Sequence, residues 1–194
     1  MQVADDNEVI ASSAKLMQRN KHVYEVLANG VEAMDRSTFD SNLHELIEAA
    51  KKHIPNHVLP DLPCTPELPG VPAWYEDELA IWNQGEAIRQ LVCTARKKLN
   101  NTQVMEILDI CQNQNARRGR ESFVMLLGQR AYAAYAPQIA ALLGDRDVGG
   151  HCIYTLYKMG AAGYSAEIAP FLADERTWVR DYAKHYMQRY GEPQ

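Results

Sequence analysis

The chain lacks most of the signals by which a sequence declares its chemistry. It has no G-x-S-x-G elbow for a serine nucleophile, no G-x-x-x-x-G-K-[ST] or G-x-G-x-x-G loop to cradle phosphates, and no H-E-x-x-H pair to hold zinc. The nearest approach to the zinc motif, His44-Glu45-Leu46-Ile47-Glu48, ends in a carboxylate where the second imidazole is needed. His53 and His57 stand on either side of Pro55, which breaks the helical face that would bring both to one ion, and Cys64 would have to arrive from an irregular loop. Adjacent carboxylates such as Glu76, Asp77 and Glu78 point in different directions around a helix and do not form an acid/base pair. The expectation is a protein that is not an enzyme and needs no metal or other cofactor.

Other absences bound the class. No apolar run approaches the roughly 18 residues that cross a bilayer, and the opening residues lack the basic start and apolar stretch of a secretory leader. A soluble, cytoplasmic protein is expected, with no membrane partner. The four cysteines have no C-x-x-C pairing and lie far apart, which suggests reduced, buried thiols. Gly and Pro are sparse, at 11 and 9 of 194 residues, and apolar residues make up 46%, so the chain can fold around a core.

Period-2 alternation is nearly absent and helical periodicity nearly continuous, which predicts an all-α fold. Helices are expected over Asp6 to Gln18 and Lys21 to Met34. A third, capped by Ser37 or Thr38, carries Leu43, Leu46, Ile47, Ala50 and Ile54 on one stripe and stops at Pro55. Residues 55 to 72 hold six of the nine prolines, which forbids a helix interior. This irregular segment is long enough to be a linker or a binding loop. Helix signals resume over Trp74 to Leu99, and Asn100 opens the next helix. The chain therefore divides into N-terminal helices (1–54), a Pro-rich loop (55–73) and a helical body (74–194), with about nine or ten helices in all.

An internal repeat lies near the C-terminus. Residues 135–145, YAPQIAALLGD, align without a gap on 164–174, YSAEIAPFLAD, at an offset of 29. A second helix follows each copy, Val148 to Met159 and Thr177 to Tyr190. In the latter, Trp178, Tyr182, Tyr186 and Tyr190 form a row expected to be a core seam. A more degenerate unit precedes them, with Val104, Ile107, Leu108 and Cys111 on one helix and Phe123, Leu126 and Leu127 on the next. The pattern I-A-x-[LF]-L-x-D, followed by Trp178-Val179-Arg180, resembles the HEAT repeat. That likeness implies about three helix pairs stacked as an α-solenoid behind a bundle-like first half, with the aspartate capping the turn within each pair. In the middle unit Gly149-Gly150-His151 stands where Trp-Val-Arg is expected. Solenoids generally serve as binding surfaces.

Charge points to where a partner would bind. The net charge is −5, and residues 1–97 carry 15 acidic against 9 basic residues. From His53 through Ile88 there is no Lys or Arg, while Asp61, Glu67, Glu76, Asp77, Glu78 and Glu86 all fall there. Arg96-Lys97-Lys98 and Arg117-Arg118-Gly119-Arg120 read as charges solvating helix ends, and the acidic total argues against a nucleic-acid partner. The whole is similar to the immunity proteins of contact-dependent growth inhibition and related polymorphic toxin systems. That likeness implies neutralisation of a cognate, basic protein toxin by direct contact. An adaptor with other protein partners, or a nucleic-acid-binding protein of HEAT type, are the alternatives. The basic partner is placed against Asp61, Glu67, Glu76, Asp77 and Glu78, with Trp74 or Tyr75 as aromatic anchor, unless these aromatics merely plug the loop onto the helical body. The repeat surface around Asp145, Asp147 and Tyr154 is the next candidate.

Overall fold

A computed structural model describes residues 34–64 and 72–191 of the chain. The two helices expected before Met34, and Glu67 in the Pro-rich loop, lie outside the described residues. Among the described residues there are eight α-helices, three 3-10 turns and no strand; the sole sheet-like pairing is an isolated bridge between Cys64 and Pro72. The all-α reading holds. No helix of the described residues is long and apolar enough to cross a membrane.

Helix α1 spans Arg36–Lys52 and α2 Glu76–Ala95. Helix α1 starts from Asp35, whose carboxylate accepts the Thr38 N–H at 2.7 Å, so the cap lies ahead of both Ser37 and Thr38. Helix α2 ends earlier than its periodicity suggests, because Arg96 turns left-handed with φ 49°. Helix α3, Asn101–Gln112, begins as expected at Asn100, which exchanges hydrogen bonds with Gln103. A 3-10 segment, Gln114–Arg120, leads into α4, Glu121–Leu126. Helix α5 is Ala136–Ala140, α6 Gly149–Met159, α7 Ser165–Ile168 and α8 Thr177–Tyr190.

Alternate helices form a row in which α2 packs on α4, α4 on α6 and α6 on α8, while α1 covers α2. Helices α3, α5 and α7 lie against α4, α6 and α8 respectively. Aliphatic stripes meet along this row: Ile88 and Leu91 of α2, Phe123 and Val124 of α4, Ile153 and Leu156 of α6, Val179 and Ala183 of α8 are all buried.

The two repeat copies share local chemistry. Ile139 and Ile168 are both fully buried, and Asp145 and Asp174 each accept the N–H two residues on at 2.9 Å. Arg180 holds the last turn by donating to the Asp174 and Glu175 carbonyls at 2.6 and 2.9 Å. The unexpected glycines of the middle unit have a steric reason. A Cβ on Gly150 would lie 2.5 Å from the Trp178 ring, so α8 can approach α6 only because that side chain is missing.

Two expectations need correction. The aromatic row of α8 is split: Tyr186 is fully buried, Tyr182 and Tyr190 are half-buried, and Trp178 is 39% exposed. Of the cysteines, Cys111 and Cys152 are buried, but Cys64 lies on the loop and Cys93 on the outer side of α2, both exposed.

Candidate functional site

The deepest chemical organisation lies where the turns ahead of α4, α6 and α8 come together with the ends of the Pro-rich loop. These turns carry charged residues at the repeat spacing: Arg117, Arg146 and Glu175 are 29 apart, and so are Arg118, Asp147 and Arg176. All six line one cleft of about 480 Å³, together with Asp61, Pro72 and Trp74 of the loop and with Glu121, Asp174 and Trp178.

The Arg117-Arg118-Gly119-Arg120 segment is the centre of this arrangement. Gly119 lies so close to α2 that a Cβ there would sit 2.7 Å from the Glu78 carbonyl and 2.8 Å from Ile81. Two residues before Gly119, Arg117 sits at φ 48°, ψ −133°, a strained backbone for a residue with a Cβ. The arginines are not solvated helix ends, as the sequence suggested, because the fold turns them inward. Arg117 is 6% exposed and Arg120 1%.

These guanidinium groups bond to the chain's own acceptors, except that the buried Arg117 Nε has no hydrogen-bond partner among the described residues and lies 3.5 Å from Glu78. Arg117 donates to the Leu59 carbonyl and, at 2.6 Å, to Asp61. Arg118 donates to Glu78 at 3.0 Å and to the Pro72 and Ala73 carbonyls at 2.9 and 2.7 Å, while its guanidinium stacks 4.6 Å over the Trp74 ring. Arg120 binds Asp145 through both amines at 2.8 and 3.1 Å and also reaches the Arg117 and Cys111 carbonyls. Arg176 is bidentate to Asp174 at 3.0 Å and lies 5.4 Å over Trp178. Arg146 pairs with Asp61 at 2.7 Å but leaves 71% of its side chain in water.

The fold thus changes the reading of the acidic segment. Its carboxylates have no cation nearby in sequence, but several have one in space. Asp61 joins Arg117 and Arg146, whose hydrogen bonds hold its carboxyl below the usual range. Glu78 is 3% exposed, accepts the Tyr75 and Arg118 N–H groups at 3.1 Å and pairs with the Arg118 side chain. It is an internal strut, not a surface charge offered to a partner. Asp77 is exposed and meets His53 at 2.9 Å, and Glu76 is exposed. Trp74 and Tyr75 are half-buried; the Tyr75 hydroxyl donates to the Pro60 carbonyl at 3.0 Å, pinning the loop to α2. So Asp61 and Trp74 line the cleft with Asp147, Glu78 braces its arginines from α2 and Tyr75 pins the loop, whereas Glu76 and Asp77 lie on the first turn of α2 outside the cleft lining.

Glu121, at the start of α4, was not singled out by the sequence, and it is the most perturbed carboxyl of the cleft. Burial pushes it up to about 8, against the pull of Arg118. Opposite it, burial pushes His151 of α6 down to about 4, and the His151 Nδ1 is buried without a hydrogen-bond partner among the described residues. Asp147 is also raised, chiefly by burial, with Arg120 opposing. No hydrogen bond reaches the Glu121 carboxyl from the described residues, and Glu175 is exposed with no ion pair there. The one sequence signal for this cluster is the recurrence of charge at the 29-residue period in the turns. Among the described residues no group of three or more His, Cys, Asp or Glu is placed to hold a metal ion.

No protein-family model, no curated protein and no solved structure matches this chain.

Proposed function

We propose that the chain is an immunity-type inhibitor: a cytoplasmic helical module, built on HEAT-like pairs, that neutralises a basic toxin by binding it directly. One observation carries the reading. In the Trp-flanked cleft Arg117, Arg118 and Arg176 are spent on internal acceptors, whereas Glu121 and Glu175 are unspent and Glu76 and Asp77 stand exposed on the first turn of the neighbouring α2. Arg146 is the cleft cation left largely in water, and it is paired with Asp61, so the unpaired carboxyls leave the surface suited to donors and cations from outside, and exposed carboxylates speed encounter with a basic protein. Half-buried Trp74 and exposed Trp178 supply the aromatic contact area found at interface centres.

The partner-facing residues of this proposal are Trp74, Glu76, Asp77, Glu121, Glu175 and Trp178. Asp61 and Glu78 act from behind, by holding the arginines. The test is co-expression with the product of the adjacent open reading frame. That product alone should arrest growth, the pair should grow, and the two proteins should copurify as a complex that is weakened by salt and by joint reversal of Glu76, Asp77 and Glu175 to lysine. A harmless neighbour, or one that does not bind, would sink the proposal.

A further inference from the structure

We infer that the cleft between Trp74 and Trp178 receives the guanidinium group of a partner arginine, with the Glu121 carboxylate as its acceptor. This deepens the preceding reading by naming the chemistry the cleft recognises, and it rests on that reading only for the source of the arginine.

Three observations lead to it. First, the cleft presents acceptors in place of donors. Arg118 and Arg176 are hydrogen-bonded from within the chain, Arg117 is buried and bonded to Leu59 and Asp61 with its Nε left unpartnered, and Arg146 is paired with Asp61, whereas no hydrogen bond reaches the Glu121 or Glu175 carboxyl among the described residues. Second, Trp178 keeps 39% of its surface in solvent although its ring packs against Gly150, and it lines the cleft with Trp74. Flat aromatic walls flanking a carboxyl suit a planar, weakly hydrated cation better than a compact ammonium. Third, the chain already stacks its own guanidinium groups on both rings, Arg118 on Trp74 and Arg176 on Trp178, so the cleft repeats outwards a contact it makes within.

Glu121 is held protonated while the cleft is empty, and the arriving cation reverses that preference. The groups facing it are Arg118 from its own segment, Glu78 from α2, Asp147 from the turn before α6, His151 from α6 and Arg176 from the turn before α8. Their charges nearly offset, so burial dominates and the proton stays. A guanidinium entering the cleft supplies the missing counter-charge. Glu121 releases its proton to solvent and the ion pair forms. Binding therefore strengthens with pH up to about 8, the value at which the free carboxyl ionises.

The experiment uses the full chain and a blocked amino acid, N-acetyl-arginine amide, followed through the indole N–H resonances of Trp74 and Trp178. The expected result is saturable shifts at both indoles, with affinity rising about tenfold from pH 6 to pH 7, as one released proton requires. The isosteric neutral N-acetyl-citrulline amide should produce none, and the lysine analogue should bind more weakly. Glu121→Gln should weaken the arginine probe and flatten the pH profile, while Glu86→Gln, outside the cleft, changes neither; thermal melts establish that both variants are folded. Equal shifts with citrulline, a pH-independent affinity in the wild type, or saturable displacement by inorganic phosphate in preference to the arginine probe would each overturn the assignment. A toxin complex that forms normally while the probe fails would remove the guanidinium and leave the inhibitor reading standing. A bound probe with a harmless neighbour would do the reverse.

Discussion

The Glu121 carboxyl and the His151 imidazole face each other with Oε2 and Nε2 3.9 Å apart, too far for a hydrogen bond, and each is driven toward its neutral form. Two opposite shifts on neighbouring groups give a pH dependence whose sign can be worked out. The folded chain keeps a proton on Glu121 that the unfolded chain gives up above its ordinary value of 4.5, so this stability is full below 4.5 and is lost as pH rises to about 8. The folded chain refuses a proton at His151 that the unfolded chain takes up below 6.5, so that contribution is present above 6.5 and is lost as pH falls toward about 4.

Between pH 4.5 and 6.5 the two slopes cancel, and from 6.5 to 8 Glu121 acts alone. Stability should fall by roughly 2 kcal/mol across that upper window, at about 1.4 kcal/mol per unit. Glu121→Gln should be flat there and, with His151 no longer masked, should lose stability as the pH is lowered from 6.5. Urea unfolding across pH 4.5–8 checks both halves. An alkaline loss that survives in Glu121→Gln assigns it to another group.

Arg120 is the buried hub beneath the cleft, and its removal should be costly. Its side chain spans Asp145, the Arg117 carbonyl and the Cys111 carbonyl, and burial at Asp145 is outweighed by these Arg120 hydrogen bonds, which hold that carboxyl below the usual range. Arg120→Met leaves the carboxylate and two carbonyls without their donor, so a loss of about 3–5 kcal/mol is expected. Arg120→Lys keeps the charge but not the fork and should recover only part of it. A loss under about 1 kcal/mol for Arg120→Met, measured by urea midpoints at constant slope, would show that the network is dispensable.

How much of this was legible from the sequence differs between fold and site. The stripe of Leu43, Ile47 and Ala50, the cap at Asn100 and the Asp145/Asp174 turns follow from local periodicity and turn chemistry, and they sit where such rules put them. The short pieces were less visible. Segments such as Ala169–Ala173 form 3-10 turns, which a five-residue apolar pattern does not distinguish from an α-helix. The pairing of Asp61 with Arg117 and Arg146 crosses 56 and 85 positions, and no local rule reaches that far. A charge run set only against its neighbours in sequence therefore looks unneutralised. Glu121 was invisible because its chemistry comes from burial, and nothing in the surrounding residues 120–123, RESF, distinguishes a buried glutamate from a solvated one.

Gly150→Ala should separate packing from composition at the α6/α8 contact. The added methyl would meet the Trp178 ring at 2.5 Å and Val179 Cγ2 at 2.8 Å, both across the helix interface. Overpacking of this kind costs about 1–3 kcal/mol. Combining it with Trp178→Ala removes one of the two clashes, so the double variant should be more stable than the sum of the single losses predicts. Strict additivity would mean that α8 yields as a body and that the ring is not the obstacle.

Asp61→Asn tests whether the loop is clamped by charge. Asp61 is the loop carboxylate held by both Arg117 and Arg146, at 2.6 and 2.7 Å, and the Tyr75 hydroxyl fixes the adjoining Pro60 carbonyl. More than a third of the Asp61 side chain is in water, so solvent screening keeps the global effect small, below about 1 kcal/mol. The local effect should be larger. With its anion gone, Arg117 retains the Leu59 carbonyl and a long contact of 3.5 Å to Glu78, and Arg146 retains only a 3.8 Å contact to Asp147. The loop offers trypsin no Lys or Arg, and Pro60 and Pro63 block chymotrypsin after Leu59 and Leu62, so the readout is thermolysin cleavage on the amino side of the exposed Val58, which should accelerate several-fold while the unfolding midpoint barely moves. Asp77→Asn, which loses only the exposed contact to His53, serves as the control and should cleave at the wild-type rate. Equal cleavage of both variants would show that the loop is held by its prolines and aromatic contacts, and that the Asp61 bridge merely decorates a segment already in place.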